Sequence, residues 1–303
     1  MNSQENTKNE KRALLIINPV AGRKLVQKQI HQIVRIFMDA GYLVTTMVTS
    51  SRGEASEMVR MNGTHHNLIV CAGGDGTLNE VISGLAAENI RVPLGYIPCG
   101  STNEFAEAHG LATDLVTAAS NIASNPIVAC DIGRFGDRVF ASAALFGAFS
   151  WMSYTTDQEL KNRLGMGAYV LDGVHDLSRL RPYHVTVTTN GVPHEGEYLF
   201  GAVSNAPSLA GILQYPNSLV KLDDGLLEVL LIRMPRNLTD WQQLLRSIHL
   251  REYQACPLIE IQQAADIWID NPPDLEWSLD GERSGPFRTA HISPMTGFLQ
   301  LKG

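Results

Sequence analysis

Gly73-Gly74-Asp75-Gly76-Thr77-Leu78-Asn79-Glu80 follows the apolar run 67–72 and opens a stretch of helical period. An apolar run, a glycine turn and a helix make one βα step. Glycines let a backbone approach a phosphate closely, and successive N–H groups form an anion nest. An aspartate inside such a nest repels a bare phosphate. The turn therefore predicts a nucleotide with a cation such as Mg²⁺, or a contact from Asp75 to a ribose hydroxyl. No G-x-x-x-x-G-K-[ST] occurs in the chain, and position 79 is Asn where the last glycine of G-x-G-x-x-G would fall. P-loop and dinucleotide readings are weakened accordingly.

Outward from this turn the same step repeats. Strands are expected at 13–17, 42–48, 67–72, 94–97 and 127–132, with Pro93 and Pro98 bracketing the fourth. Such alternation implies a parallel sheet. Val26, Ile30, Ile33, Val34, Phe37 and Met38 form the core-facing stripe of the first helix. Beyond Asp131 the texture becomes strand-rich, with a helical interruption at about 156–180. Tyr183, Val185, Val187 and Thr189 alternate with polar residues up to Asn190-Gly191, the dipeptide a tight hairpin demands. Further strands are expected at 198–204, 226–232, 258–262, 266–269, 274–279 and 287–292. The second half thus reads as an antiparallel β domain of sandwich type.

Ser51 to Glu54, Thr77 to Glu80 and Ser101 to Glu104 each fit S/T-x-x-E, and each follows an expected strand. Read singly, each is a helix cap. Read together, they line the carboxyl ends of a parallel sheet, where helix N-termini offer N–H groups to anions.

Composition narrows the classes. With 303 residues, 44% hydrophobic and 18% charged, the chain can bury a core and sits near the size at which cores divide into two domains. A net charge of −7 argues against a nucleic-acid surface. Cys71, Cys99, Cys130 and Cys256 show no metal-binding spacing and read as reduced, mostly buried thiols. Residues 1–12 are polar, without a secretory apolar run, and the run 139–149 is far short of the ~20 residues a spanning helix needs. A cytoplasmic location is expected.

Several motifs then converge. Asn18-Pro19-Val20-Ala21-Gly22 resembles the NPxxG turn of the diacylglycerol kinase catalytic family, and Gly73 to Glu80 its GGDGTxNE signature. Pro98 to Ala106, PCGSTNEFA, is similar to its PxGTxNDFA segment. Asp223-Asp224-Gly225-Leu226 and Asp280-Gly281-Glu282 look like its DDGxL and DGE motifs. The resemblance spans nearly the whole chain and implies a nucleotide-binding α/β domain at 11–131, with 295–303 returning to it, and a lipid-substrate domain at 132–294. It implies ATP and Mg²⁺ as cofactors and a lipid acceptor, diacylglycerol first, met transiently at a membrane surface. Ceramide, a sphingoid base, phosphatidylglycerol or an undecaprenol-like alcohol are the alternative acceptors. Oligomeric state stays open, a homodimer included.

By the same resemblance, Asn18, Thr49, Gly73, Gly74, Asp75, Gly76, Thr77, Leu78, Asn79, Gly100 and Ser101 surround the nucleotide. Asp75 and Asp131 join the catalytic Mg²⁺ network, Glu282 is the general base, and Lys221, Asp224 and Leu226 form a second Mg²⁺ site. Ser101 and Glu104 stand where the family has Thr and Asp, so Glu104 is either an acid near the metal or a capping partner of Ser101. Arg23 and Lys24 are candidate phosphate contacts. Trp151, Met152, Tyr154, Leu164, Met166, Tyr169, Val170 and Leu171 are candidates for an acyl groove, and Lys161, Arg163, Arg179 and Arg181 for membrane contact. By residues alone, 223–225 is a turn between strands and Asp280-Gly281 a hairpin turn. The implied geometry sets the ends of the strands at Ala72 and Ile97 toward Glu282. An NAD-kinase-like enzyme or a nucleotide-binding protein without turnover are the rival readings.

Overall fold

The computed structural model describes residues 10–147, 181–209, 213–216 and 219–303. The chain divides into two compact units, Met1–Cys130 with Gly297–Gly303, and Asp131–Thr296.

In the first unit, β1 (Lys11–Ile17), β2 (Tyr42–Val48), β3 (Leu68–Gly73) and β4 (Leu94–Pro98) are parallel, in the order β2-β1-β3-β4. Every residue of β3 and β4 is buried, as expected of parallel strands covered on both faces. Helices α1 (Leu25–Asp39), α2 (Glu54–Asn62), α3 (Asp75–Ala87), α4 (Glu104–Ala108) and α5 (Leu115–Ser124) fill the crossovers. Val26, Ile33 and Phe37 of α1 pack with Leu115, Ala119 and Ile122 of α5 against Leu15, Val70 and Ile97. Met38, expected on that stripe, lies one step off it and is 55% exposed. Glycine decides how closely α2 and α3 approach: a Cβ at Gly84 would lie 2.7 Å from Ser56 O. Residues 127–135 form β5 (Ile127–Phe135), and Leu301 and Lys302, at the end of the chain, run parallel to Leu94 and Gly95 of β4.

The second unit is antiparallel. Its strands are β6 (Arg138–Phe140), β7 (Ala143–Gly147), β8 (Tyr183–Thr189), β9 (Val192–Ser204), the short pair β10 (Ser208–Leu209) and β11 (Leu213–Gln214), and β12 (Leu227–Arg233). After α6 (Leu238–Leu250) come β13 (Ile259–Ala264), β14 (Ile267–Asp270), β15 (Glu276–Leu279), β16 (Glu282–Pro286) and β17 (Thr289–Lys302), the last of which belongs to this unit only as far as Thr296. The long β9 pairs with β8 along its first half and with β7 and β12 along its second. One face buries Phe146, Val187, Tyr198, Trp277 and Ile292, and the other buries Leu145, Phe200, Leu230 and Ile259 beneath Leu244 and Ile248 of α6. Asn190 and Gly191 take φ of 50° and 82°, the left-handed pair of a type I′ hairpin.

The architecture is therefore the expected one, a parallel α/β unit and an antiparallel β unit. Helix α6 and strands β6, β7, β10, β11 and β16 are additions to it, and the helix expected at 156–180 lies outside the described residues.

Candidate functional site

Three turns meet at the carboxyl ends of β1, β3 and β4. Asn18 joins two of them, its N–H donating to Ala72 O at 2.9 Å and its Nδ2 to Thr77 Oγ1 at 2.9 Å. Gly22, at φ 58°, sits where a Cβ would be 2.4 Å from Cys99 O, which ties the Asn18–Gly22 turn to the third. Cys99 N–H donates to Gly73 O at 2.7 Å. Backbone also meets backbone: a Cβ on Gly100 would lie 2.9 Å from Gly74 Cα, and one on Gly74 would lie 3.3 Å from Gly100 Cα. At Gly76 an added Cβ would meet nothing within 4 Å, so the turn is open there. Thr49 is buried at the end of β2, its N–H donating to Ile17 O at 2.9 Å. Asn103 holds Gly100 from both sides, through Oδ1 to its N–H (2.8 Å) and Nδ2 to its carbonyl (3.1 Å). Asn79 is buried on α3, with Oδ1 unpartnered among the described residues.

The capping boxes take a different form from the expected one. Helices α2, α3 and α4 have Gly53, Gly74 and Asn103 at their N-caps, none with a side-chain cap bond. Thr77 is therefore inside α3, and Ser101 lies two residues before the α4 cap. Ser50 N–H and the hydroxyls of Ser50 and Ser51 donate to Glu54, holding its carboxyl down at about 2. The acids of the glycine motif cap the neighbouring helices instead. Glu80 accepts from Gly53 N (2.8 Å) and Ala55 N (3.2 Å) at the start of α2. Asp75 accepts from Glu104 N (3.2 Å) and Phe105 N (3.4 Å) at the start of α4, with Tyr96 OH at 3.5 Å. Burial raises the Asp75 carboxyl above the ordinary carboxylate value, and these N–H groups pull it back. Burial, and then Asp75, raise the Tyr96 phenol.

This arrangement distributes the anion-binding capacity. A helix leaves its first N–H groups outside its own ladder, and a carboxylate at that end satisfies them and offsets the positive dipole end. The N-termini of α2 and α4 are already engaged by carboxylates. In α3 the first helical bond is Leu78 N to Gly74 O, 3.0 Å, so the N–H groups of Asp75, Gly76 and Thr77 precede the ladder. They lie beside the Gly74–Gly100 approach and the open position at Gly76. Of the three N-termini, α3 is the one shaped for phosphate. Glu80, expected to cap its own helix, serves α2 instead, and the contacts of Tyr96 and Gly22 carry no sequence signal, because the distant carboxylate and carbonyl they meet are set by the fold.

In the second unit Asp131 is 1% exposed and joined to the Asp223-Asp224-Gly225 loop. Its Oδ2 accepts from Gly225 N (2.7 Å), its N–H donates to Leu222 O (2.7 Å), and its carbonyl accepts from Asn205 Nδ2 (2.8 Å). Asp224 Oδ1 accepts from Leu226 N at 3.1 Å, and Gly225 takes φ 74°. Lys221 and Asp224 are exposed. Among the described residues, no group of three or more His, Cys, Asp or Glu could hold a metal. The donors here are isolated carboxylates and loop carbonyls, hard oxygens of the kind Mg²⁺ takes together with water. Glu282 opens β16 directly after the Asp280-Gly281 turn. The side chains of Arg23 and Lys24 lie outside the described residues, as do the acyl-groove candidates and Lys161, Arg163 and Arg179.

Replacing Gly74 with valine is expected to weaken ATP binding at least ~10-fold, because the branched side chain enters the space between two backbones already in contact. Titration of the purified variant with ATP checks this, and saturation at parent concentrations would count against the cradle.

The diacylglycerol kinase catalytic domain model matches residues 12–135, and the YegS C-terminal NAD kinase beta sandwich-like domain model matches 151–300. A diacylglycerol kinase of Bacillus subtilis (strain 168) is 32% identical over 282 residues, covering 91% of this chain and 91% of its own length. One from Staphylococcus saprophyticus is 30% identical over 277 residues, covering 91% of this chain and 90% of its own. The crystal structure of a diacylglycerol kinase from Bacillus anthracis str. Sterne matches with a TM-score of 0.78 at 27% identity, over 97% of this chain and 96% of that one.

Proposed function

The chain belongs to the diacylglycerol kinase family, and we propose that it transfers the γ-phosphoryl group of ATP to the hydroxyl of diacylglycerol, giving phosphatidic acid. The observation that carries this reading is the cradle at α3, where Gly74 and Gly100 bring two backbones together beside N–H groups outside the helical ladder. Such a nest suits a polyphosphate. Asn18 and Thr77 brace it through their side-chain hydrogen bond.

In this reading the protein contributes mainly positioning and charge. The α3 N–H groups orient the phosphates, and Thr49, Leu78, Asn79 and Ser101 complete the nucleotide surroundings. Glu282 accepts the proton that the lipid hydroxyl loses as its oxygen bonds to phosphorus, and ADP leaves with the electron pair of the broken P–O bond. Asp75, Asp131 and Glu104, and the Lys221, Asp224 and Leu226 loop, are the residues that would hold Mg²⁺. When bound, the ion neutralises phosphate charge. Asp75 then has two tasks, since its carboxylate also caps α4. No described helix is long and apolar enough to cross a membrane. Access to the lipid by transient contact with a bilayer surface, from the cytoplasm, is part of the proposal. The four buried, unbridged cysteines support a reducing compartment.

The test is a panel of acceptors with labelled ATP and Mg²⁺: short-chain diacylglycerol, ceramide, a sphingoid base, phosphatidylglycerol and NAD. Diacylglycerol is expected to give the largest kcat/KM. A larger value for another lipid would reassign the acceptor, labelled NADP alone would support an NAD-kinase-like activity, and no labelled product with any acceptor would leave a nucleotide-binding protein.

A further inference from the structure

Asp280 and Gly281 form the two-residue turn between β15 and β16, closed by the pair Leu279↔Glu282. Their φ values of 46° and 80° are the left-handed pair of a type I′ hairpin, for which Asp-Gly is a favoured sequence. In an ordinary hairpin that aspartate points to solvent. Here its carboxylate accepts from three successive backbone N–H groups, those of Ala141 (2.5 Å), Ser142 (2.8 Å) and Ala143 (2.9 Å). Its own N–H donates to Ala143 O at 2.9 Å.

We propose that Asp280 is a positioning residue for Glu282: it fastens the turn that precedes Glu282 to residues 141–143 and so presents that carboxylate in a single geometry. The inference rests on the reading of Glu282 as the base. Residues 141–143 join β6 to β7, and β7 already pairs with β15 through Ala144↔Leu279. The Asp280 clasp continues that ladder around the turn, which hydrogen-bonded strands alone would leave free to twist. Ala141, Ala143 and Leu279 are all buried, so the clasp works where a charged hydrogen bond is strong and an unmade one costly. Farther along β16 other anchors take over, Arg138 Nη1 donating to Ser284 Oγ at 2.7 Å and Arg283 pairing with Glu276. Of these three anchors, Asp280 is the one that holds the turn before Glu282. Asparagine would satisfy the turn equally well; what the carboxylate adds is two acceptor oxygens for three donors. Displacing a reacting group by about 1 Å costs on the order of 10² in rate, which gives such a clasp kinetic weight.

The experiment compares the parent, Asp280→Asn, Glu282→Gln and the double variant, measuring short-chain diacylglycerol phosphorylation, KM for ATP and Tm. Asp280→Asn is expected to lower kcat by ~10–10² with KM for ATP within about twofold. In the Glu282→Gln background it is expected to cost little more, because a residue that acts through another adds nothing once that other is gone. Parent-like turnover in Asp280→Asn, with Glu282→Gln slow, overturns the positioning role alone. The same fold loss in both backgrounds makes Asp280 a structural staple and also overturns it. Parent-like turnover in Glu282→Gln removes the base, and this inference with it. A measurement on the parent guards against a variant that does not fold: the 141–143 amides should exchange slowly with solvent, and exchange at open-loop rates would overturn the clasp itself.

Discussion

Glutamine at position 282 is expected to lower phosphorylation of short-chain diacylglycerol by ~10²–10⁴ while ATP affinity stays near the parent value. The substitution keeps shape and one acceptor oxygen but cannot take a proton. Glu282 begins β16 rather than lying inside a core, and its pairing with Leu279 is made by backbone, so the strand should persist in the variant. If Glu282 only closed a hairpin, rate and stability would both be nearly unchanged. Turnover and ATP titration on the same preparation separate the cases. A glutamine variant working at close to the parent rate would remove Glu282 from the mechanism, and the nucleotide-binding reading without turnover would gain.

Asparagine at position 75 is expected to cut turnover by ~10² or more, the usual scale for removing a designed electrostatic contact. The structure adds a second expectation. Because Asp75 receives the N–H groups of Glu104 and Phe105, the variant keeps one cap oxygen and turns an NH₂ toward one of those donors. A stability loss of about 1 kcal/mol, the scale of a helix cap, should accompany the loss of rate. Thermal unfolding and Mg²⁺-dependent phosphorylation on the same sample distinguish the two effects: a small fall in Tm with a large fall in rate supports both roles. Unchanged Mg²⁺-dependent activity would withdraw Asp75 from catalysis and leave it as the α4 cap.

Much of the fold was legible from periodicity. The apolar runs at 13–17, 42–48, 67–72 and 94–97 became β1 to β4 within a residue or two of the expected ends, since parallel strands buried on both faces need continuous apolar sequence. The alternation before Asn190-Gly191 became β8. Helix α6 carried an equally readable signal, Asn237 at its N-cap accepting from Asp240 N and Trp241, Leu244 and Ile248 at helical spacing. That signal stands alone in strand-rich surroundings, which favour the expectation of further strands. The run 139–149, too short to span a membrane, holds β7 and most of β6, and the break at 141–142 between those strands is where the Asp280 carboxylate docks.

By itself the sequence determined the order of the motifs, the βα alternation, and the left-handed turns at Asn190-Gly191 and Asp280-Gly281. These depend on apolar period and on the backbone freedom of single residues, properties that neighbours in the chain possess before any folding. Only the tertiary structure decided which helix N-termini remain available to an anion. The carboxylates that occupy α2 and α4 come from 25 to 30 residues away, Glu80 reaching Gly53 and Ala55 and Asp75 reaching Glu104 and Phe105. It also decided that Asp131 belongs with the 222–225 loop, 94 residues on from Asp131 at the Gly225 bond, and that Asp280 clasps segment 141–143. Each of these bonds gives a backbone N–H an acceptor that its own helix or strand does not supply, and which side chain is within reach of it is settled only when segments far apart in sequence are laid side by side.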